Sequence, residues 1–163
     1  NIKFSNVGDE HEPYADISIR ASELKGITLN PELVPNLIDE MPVLFIAAAL
    51  AKGTTRIREA EELRFKESDR LEAMAKTLNL FGVKHKIFKD GIDIEGIDQS
   101  KTNPPFNPAE IDSFGDHRIA MASIIGAIRS KGACTIKNCS NISTSFPGFI
   151  NLSNKMGIIL KKK

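Results

Sequence analysis

Apolar positions along the chain change period several times, and each change marks an element. Near the start, residues 2–4 and 15–19 alternate apolar and polar side chains between Gly8, Pro13 and Gly26, the pattern of strands and turns at the end of a sheet. Residues 41–51 form the longest apolar stretch; Asp39 is placed to cap its start, Pro42 lies in its first turn and Gly53 just beyond its end, which predicts a buried helix. It is far shorter than the roughly 20 residues required to cross a bilayer. A strand over 54–58 and a charged stretch over 59–70 follow. Leu71, Met74, Ala75, Leu78 and Phe81 then recur at helical spacing, with Gly82 closing the helix. Two β-like runs, 83–88 and 92–95, meet at Asp90-Gly91, a strong hairpin signal. The unit reads helix, strand, helix, strand, strand.

Residues 98–108, with three prolines, predict a loop or a boundary between lobes. Beyond it the order begins again. Asp116 is placed to cap a helix reaching about residue 130, Gly132 follows, 133–137 reads as a strand, and 146–156 as a second helix closed by Gly157. Ala51-Lys52-Gly53-Thr54-Thr55-Arg56-Ile57 aligns on Ser130-Lys131-Gly132-Ala133-Cys134-Thr135-Ile136 with a displacement of 79, and Gly82 on Gly157 with one of 75. Two copies of one unit, the second shortened by four residues, account for both displacements. A unit that cannot bury its own sheet face packs against its copy.

Composition narrows the setting. With 41% hydrophobic and 26% charged residues over 163 positions, the chain has the makeup of a soluble, core-forming protein of one domain or two small lobes. A net charge of +1 gives no reason to expect a nucleic acid or a membrane as partner. Cys134 and Cys139 lack metal-ligand company and read as reduced, buried thiols of a cytoplasmic protein. The start at Asn1, with no initiator methionine or signal peptide, is expected of a piece of a longer protein.

Three polar clusters open three helices: Ile38-Asp39-Glu40-Met41-Pro42, Lys66-Glu67-Ser68-Asp69-Arg70 and Gly115-Asp116-His117-Arg118. Helix N-termini present unpaired N–H groups and favour anions. If the three ends converge, Arg70 and Arg118 can clamp an anion while Asp39 and Glu67 supply acid and base. Plainer roles suit the same residues: Asp39 and Asp116 as caps, Glu67 and Arg70 as a pair on a solvated face, His117 as a structural side chain. His11 and His85 have no clustered ligands, and no zinc, P-loop or dinucleotide pattern occurs. Spacing alone does not separate a site from three caps.

The runs Leu37-Ile38-Asp39-Glu40-Met41-Pro42, Ala60-Glu61-Glu62-Leu63-Arg64-Phe65-Lys66-Glu67-Ser68-Asp69-Arg70, Asp116-His117-Arg118-Ile119-Ala120-Met121-Ala122 and Ser145-Phe146-Pro147, in that order, closely resemble the 3-phosphoshikimate 1-carboxyvinyltransferase (EPSP synthase) family. The resemblance covers nearly the whole chain, but only the C-terminal part of the family's sequence. It implies an α+β (α/β) enolpyruvyl transferase fold, an inside-out α/β barrel of βαβαββ repeats, of which 1–163 is part of the C-terminal domain. Residues 1–29 are then the tail of a preceding repeat, and 30–97 and 109–163 are repeats, with the N-terminal domain absent.

The implied reaction transfers the enolpyruvyl group of phosphoenolpyruvate to the 5-hydroxyl of shikimate 3-phosphate through a tetrahedral intermediate, releasing phosphate. It uses no metal or organic cofactor and serves aromatic biosynthesis in a cytoplasmic enzyme, monomeric at full length. By motif, Asp39 resembles the base that contacts the shikimate hydroxyls, Glu67 the proton shuttle at the enolpyruvyl methylene, and Lys66 the lysine beside both substrates. Arg70 and Arg118 resemble the phosphoenolpyruvate-binding pair, with His117 their neighbour. Thr144 stands where some members carry a lysine that contacts phosphoenolpyruvate. The family's groups from the N-terminal domain have no counterpart here, so the chain alone is expected to be inactive. UDP-N-acetylglucosamine enolpyruvyl transferase and a non-catalytic phosphate-binding module are the competing readings.

Overall fold

Two parallel strand pairings, each closed across a helix, organise the chain. The computed structural model describes residues 1–161. In the first pairing, residues 24–29 run alongside β3 (Thr54–Ile57), with parallel bridges Lys25–Lys52 and Thr28–Arg56 and a hydrogen bond from the Arg56 N–H to the Ile27 carbonyl of 2.8 Å. Between them lie helices α1 (Val34–Leu37) and α2 (Met41–Ala49). In the second, β6 (Glu110–Asp112) pairs in parallel with β7 (Thr135–Lys137), and α4 (His117–Ala127) lies between. β5 (Ile92–Glu95) and β4 (His85–Ile87) add antiparallel to β3 in the order β3-β5-β4, after α3 (Arg70–Phe81). The Asp90-Gly91 hairpin is present, closed by the Phe88 N–H on the Gly91 carbonyl at 2.8 Å.

Helices α2, α3 and α4 pack together. Met41 and Phe45 of α2, Leu71, Met74, Leu78 and Phe81 of α3, and Ile119 of α4 are wholly buried in one cluster. Phe81 stacks on Phe106 with ring centroids 4.8 Å apart, joining α3 to the segment that leads into β6. Gly126 lets α4 approach: a Cβ there lies 2.7 Å from the Phe81 ring and 3.1 Å from Ile46 Cδ1.

Several expectations shift. The 41–51 helix ends at Ala49, and Asp39 does not cap it: Asp39 sits inside a 3-10 turn, Ile38–Glu40, and its carboxylate is engaged elsewhere. The helix expected over 146–156 begins only at Phe149, as α6 (Phe149–Lys155), and a separate helical turn, α5 (Ile142–Ser145), precedes it. Pro147 lacks an N–H and disfavours helical backbone at Phe146, which adopts φ −138° and ψ 79°. Strand β6 and the helical turns Pro31–Leu33 and Glu61–Phe65 were not legible, being three to five residues long and flanked by proline or charge. Cys134 and Cys139 are free and half-buried rather than buried. Burial, with the nearby Asp112 carboxylate, pushes the Cys139 thiol above its ordinary value.

The hairpin of β1 (Ile2–Gly8) and β2 (Tyr14–Ile19) forms a separate two-stranded sheet. Ile2 faces Ile19 and Phe4 faces Ile17 across the strands, which gives one apolar face. All four are between 58% and 73% exposed. Among the described residues, no helix is long and apolar enough to cross a membrane.

Candidate functional site

The starts of α2, α3 and α4 converge on one corner, held by a single guanidinium. Arg70, the first residue of α3, is 1% exposed. Its Nε donates to Asp116 Oδ2 at 2.9 Å, its Nη1 to Asp39 Oδ1 at 2.9 Å and its Nη2 to Glu67 Oε2. Asp39 arrives from the turn before α2, Glu67 from the segment before α3, and Asp116 from the start of α4. A guanidinium taken out of water is costly unless its donors meet anions in good geometry, and the five N–H groups of arginine suit such division. The Glu67–Arg70 pair is therefore no ornament of a solvated face. Nor do the three carboxylates form a metal cage, since a cation of the protein already fills their centre; no cluster placed to hold a metal ion occurs among the described residues.

Asp116 caps α4 as expected, and does more. Its Oδ1 accepts from the backbone N–H of Arg118 at 2.9 Å and of Ile119 at 3.4 Å, while Oδ2 takes Arg70 and the Ser68 hydroxyl at 3.1 Å. Burial acts to raise its carboxyl, but the hydrogen bond and charge of Arg70, the Arg118 N–H and the Ser68 hydroxyl outweigh it and hold it below the ordinary aspartate value of 3.8. Asp39 is lowered too: desolvation opposes the shift, and Arg70, Arg118 and Lys66 prevail.

Arg118 is 28% exposed on its side chain and faces the same corner. Its Nη1 donates to the Asp39 carbonyl and to Glu40 Oε1, both at 2.7 Å, and its Nη2 lies 3.9 Å from Asp39 Oδ2. Lys66 Nζ bridges Glu62 and, at 3.5 Å, Asp39. The Glu62 hydrogen bond is the main influence holding Lys66 above the ordinary lysine value. His117 opens α4 beside Arg118, and its ring makes no hydrogen bond among the described residues. Thr144 lies in α5, where its hydroxyl donates to the Asn141 carbonyl at 2.8 Å.

Asp39, Lys66, Glu67, Arg70 and Arg118 are thus brought together, with His117 at their edge. Glu40 and Ser68 carry no signal in the sequence, and Asp116 reads there only as a cap. Glu40 and Ser68 each stand beside a residue already singled out, but nothing in their spacing reports a partner 78 or 48 positions away.

The sequence model of EPSP synthase (3-phosphoshikimate 1-carboxyvinyltransferase) matches residues 5–152, a span that includes every residue of this corner. The chain belongs to the EPSP synthase family. It is 45% identical over 150 residues to the 3-phosphoshikimate 1-carboxyvinyltransferase of Coxiella burnetii strain RSA 493, covering 92% of this chain and 33% of that protein. Against the Legionella pneumophila (strain Paris) protein of the same name it is 48% identical over 145 residues, covering 89% and 32%. Among solved structures, an EPSP synthase from Acinetobacter baumannii superposes with a TM-score of 0.91 at 39% identity, covering all of this chain and 37% of that one. The α+β fold is that of the EPSP synthases. The chain spans about a third of the length of the curated relatives it matches.

Proposed function

We propose that this corner is part of the active site of an EPSP synthase that transfers the enolpyruvyl group of phosphoenolpyruvate to the 5-hydroxyl of shikimate 3-phosphate. The supporting observation is the joining of two arginines, a lysine and two acidic groups at three helix starts, within a chain of that family. Phosphoenolpyruvate carries a phosphate and a carboxylate, and fixed cations suit both. Arg70 retains two N–H donors beyond the three engaged, and Arg118 is open to solvent on its outer side.

Asp39 accepts the proton of the attacking hydroxyl, and its lowered pKa keeps it ionised at neutral pH. Glu67 delivers a proton to the enolpyruvyl methylene as the tetrahedral intermediate forms and removes one as phosphate leaves. Lys66, a persistent cation, lies beside Asp39 where both substrates meet. His117 borders the phosphoenolpyruvate site. Thr144 replaces a lysine contact found in some members.

Residues 1–29 belong to the end of one repeat, and 30–97 and 109–163 are two further repeats of a C-terminal domain whose partner lies outside this chain. The matched parallel pairings across α2 and α4 support that division. The full-length protein is a cytoplasmic monomer, and the chain by itself has no turnover. Phosphate release by the full-length protein, with phosphoenolpyruvate and either shikimate 3-phosphate or UDP-N-acetylglucosamine, tests the reading. Turnover with shikimate 3-phosphate alone is expected; its absence, or turnover with the nucleotide sugar, overturns it.

A further inference from the structure

We infer that Asp116 is a positioning residue for the proposed transfer, setting both phosphoenolpyruvate-binding arginines from one carboxylate. The inference rests on that reading of the site and extends it to a residue that touches no substrate. A helix cap requires one side-chain oxygen, and Oδ1 supplies it. The cap leaves Oδ2 unexplained. That oxygen lies in a fully buried side chain and takes the Nε of Arg70 together with the Ser68 hydroxyl. Asp69, which caps α3, divides its oxygens in the same way but at the surface, so burial and the Ser68 hydroxyl are what set Asp116 apart. Its Oδ1 accepts from the Glu72 N–H at 2.9 Å, while its second oxygen pairs with Arg64 and the side chain stays 38% exposed.

The geometry of the fork gives the second reason. Asp116 holds Nε, and the two terminal nitrogens are left to Asp39 and Glu67, so the carboxylate fixes the guanidinium at its root. Oδ1 meanwhile holds the backbone N–H of Arg118, so that the second arginine is placed from the same group. The two arginines come from different helices 48 residues apart, and among the described residues Asp116 is hydrogen-bonded to both.

Asp116→Asn in the full-length protein separates the roles. Asparagine caps helices as well as aspartate does. Its amide, however, has one oxygen for two sets of donors, so either the helix end or Arg70 meets an N–H instead of an acceptor. The expected result is a rise of at least about tenfold in KM for phosphoenolpyruvate with a fall in kcat, the loss typical of a charge-assisted hydrogen bond, while KM for shikimate 3-phosphate stays within about twofold. Unchanged kinetics, or equal rises in both KM values, overturn the inference.

Ser68→Ala keeps the carboxylate and the cap, and serves if the first variant does not fold. A rise of about threefold in KM for phosphoenolpyruvate alone is expected from one lost neutral hydrogen bond, and no change counts against the inference. Combining Asp116→Asn with Arg70→Lys should add little to Arg70→Lys alone; full additivity overturns it. Calorimetry with phosphoenolpyruvate accompanies the assays. A wild type that binds it but shows no turnover defeats the transfer reading by itself, since the effect of Asp116 is then read on affinity. A wild type that does neither defeats both.

Discussion

The corner at the helix starts and the β1–β2 hairpin are opposites in how the chain serves the groups least suited to where they lie. At the corner, Arg70, Asp39, Glu67 and Asp116 are charged, and every one finds a partner within the chain. On the hairpin, Ile2, Phe4, Ile17 and Ile19 line one face, and each stays more than half exposed. Buried charge is tolerated only with its partners in place, so the elements that form the corner must be present together. An apolar face costs less to leave open, yet a contiguous one marks a surface that another surface covers. The charges of the corner are paired within this chain, and the apolar face of the hairpin is not covered by it.

The largest expected effect at the corner is on chemistry. Glu67→Gln in the full-length protein should lower kcat by about 10²–10⁴-fold with little change in substrate binding, as for loss of a general acid–base group; steady-state kinetics with both substrates check it. Next comes stability. Arg70→Met strips three carboxylates of their shared cation, and the melting or urea midpoint of the chain should report a loss of about 3–5 kcal/mol, as for a broken buried ion pair.

Acid should act on the same group more gently. Asp39 and Asp116 lie below 3.8 when folded, so the unfolded chain binds more protons once the pH falls toward that value, and acid favours unfolding. The groups facing Asp116 are Arg70, Ser68 and the N-terminal N–H groups of α4; those facing Asp39 are Arg70, Lys66 and Arg118. The melting temperature is expected to hold above about pH 5 and to drop below about pH 4, less steeply in Asp116→Asn. The smallest effect belongs to the hairpin. Phe4→Ser and Ile17→Thr should change the stability of this chain by less than about 0.5 kcal/mol, as exposed positions do; a larger loss would show that the face is covered, and would end the contrast.

The same division explains what the sequence disclosed. Helix α3 was legible because its apolar side chains recur in register and Gly82, at φ 82°, closes it. The turn at Asp90-Gly91 was legible because its geometry is local. Asp39 misled because an aspartate just before an apolar helix resembles a cap, whereas Arg70, 31 positions away, claims its carboxylate. That Lys66, Glu67, Arg70 and Arg118 lie at one corner was suggested by resemblance to a family and not by spacing, since convergence of three helix ends is a property of packing. Strand β6 escaped because its three residues owe their pairing to β7, 25 positions on.

The separations of these contacts also set an order of events. Each parallel pairing closes a loop of fewer than thirty residues, Thr28 to Arg56 and Glu110 to Thr135, whereas Arg70 meets Asp116 across 46 and Arg118 meets Glu40 across 78. Wider loops cost more chain entropy to close, so the separate pairings are expected to precede the clamp that joins them. Contacts made after the folding barrier affect how fast a protein opens rather than how fast it forms. On that ordering the charged corner is a latch, and its loss is expected to speed unfolding more than it slows folding.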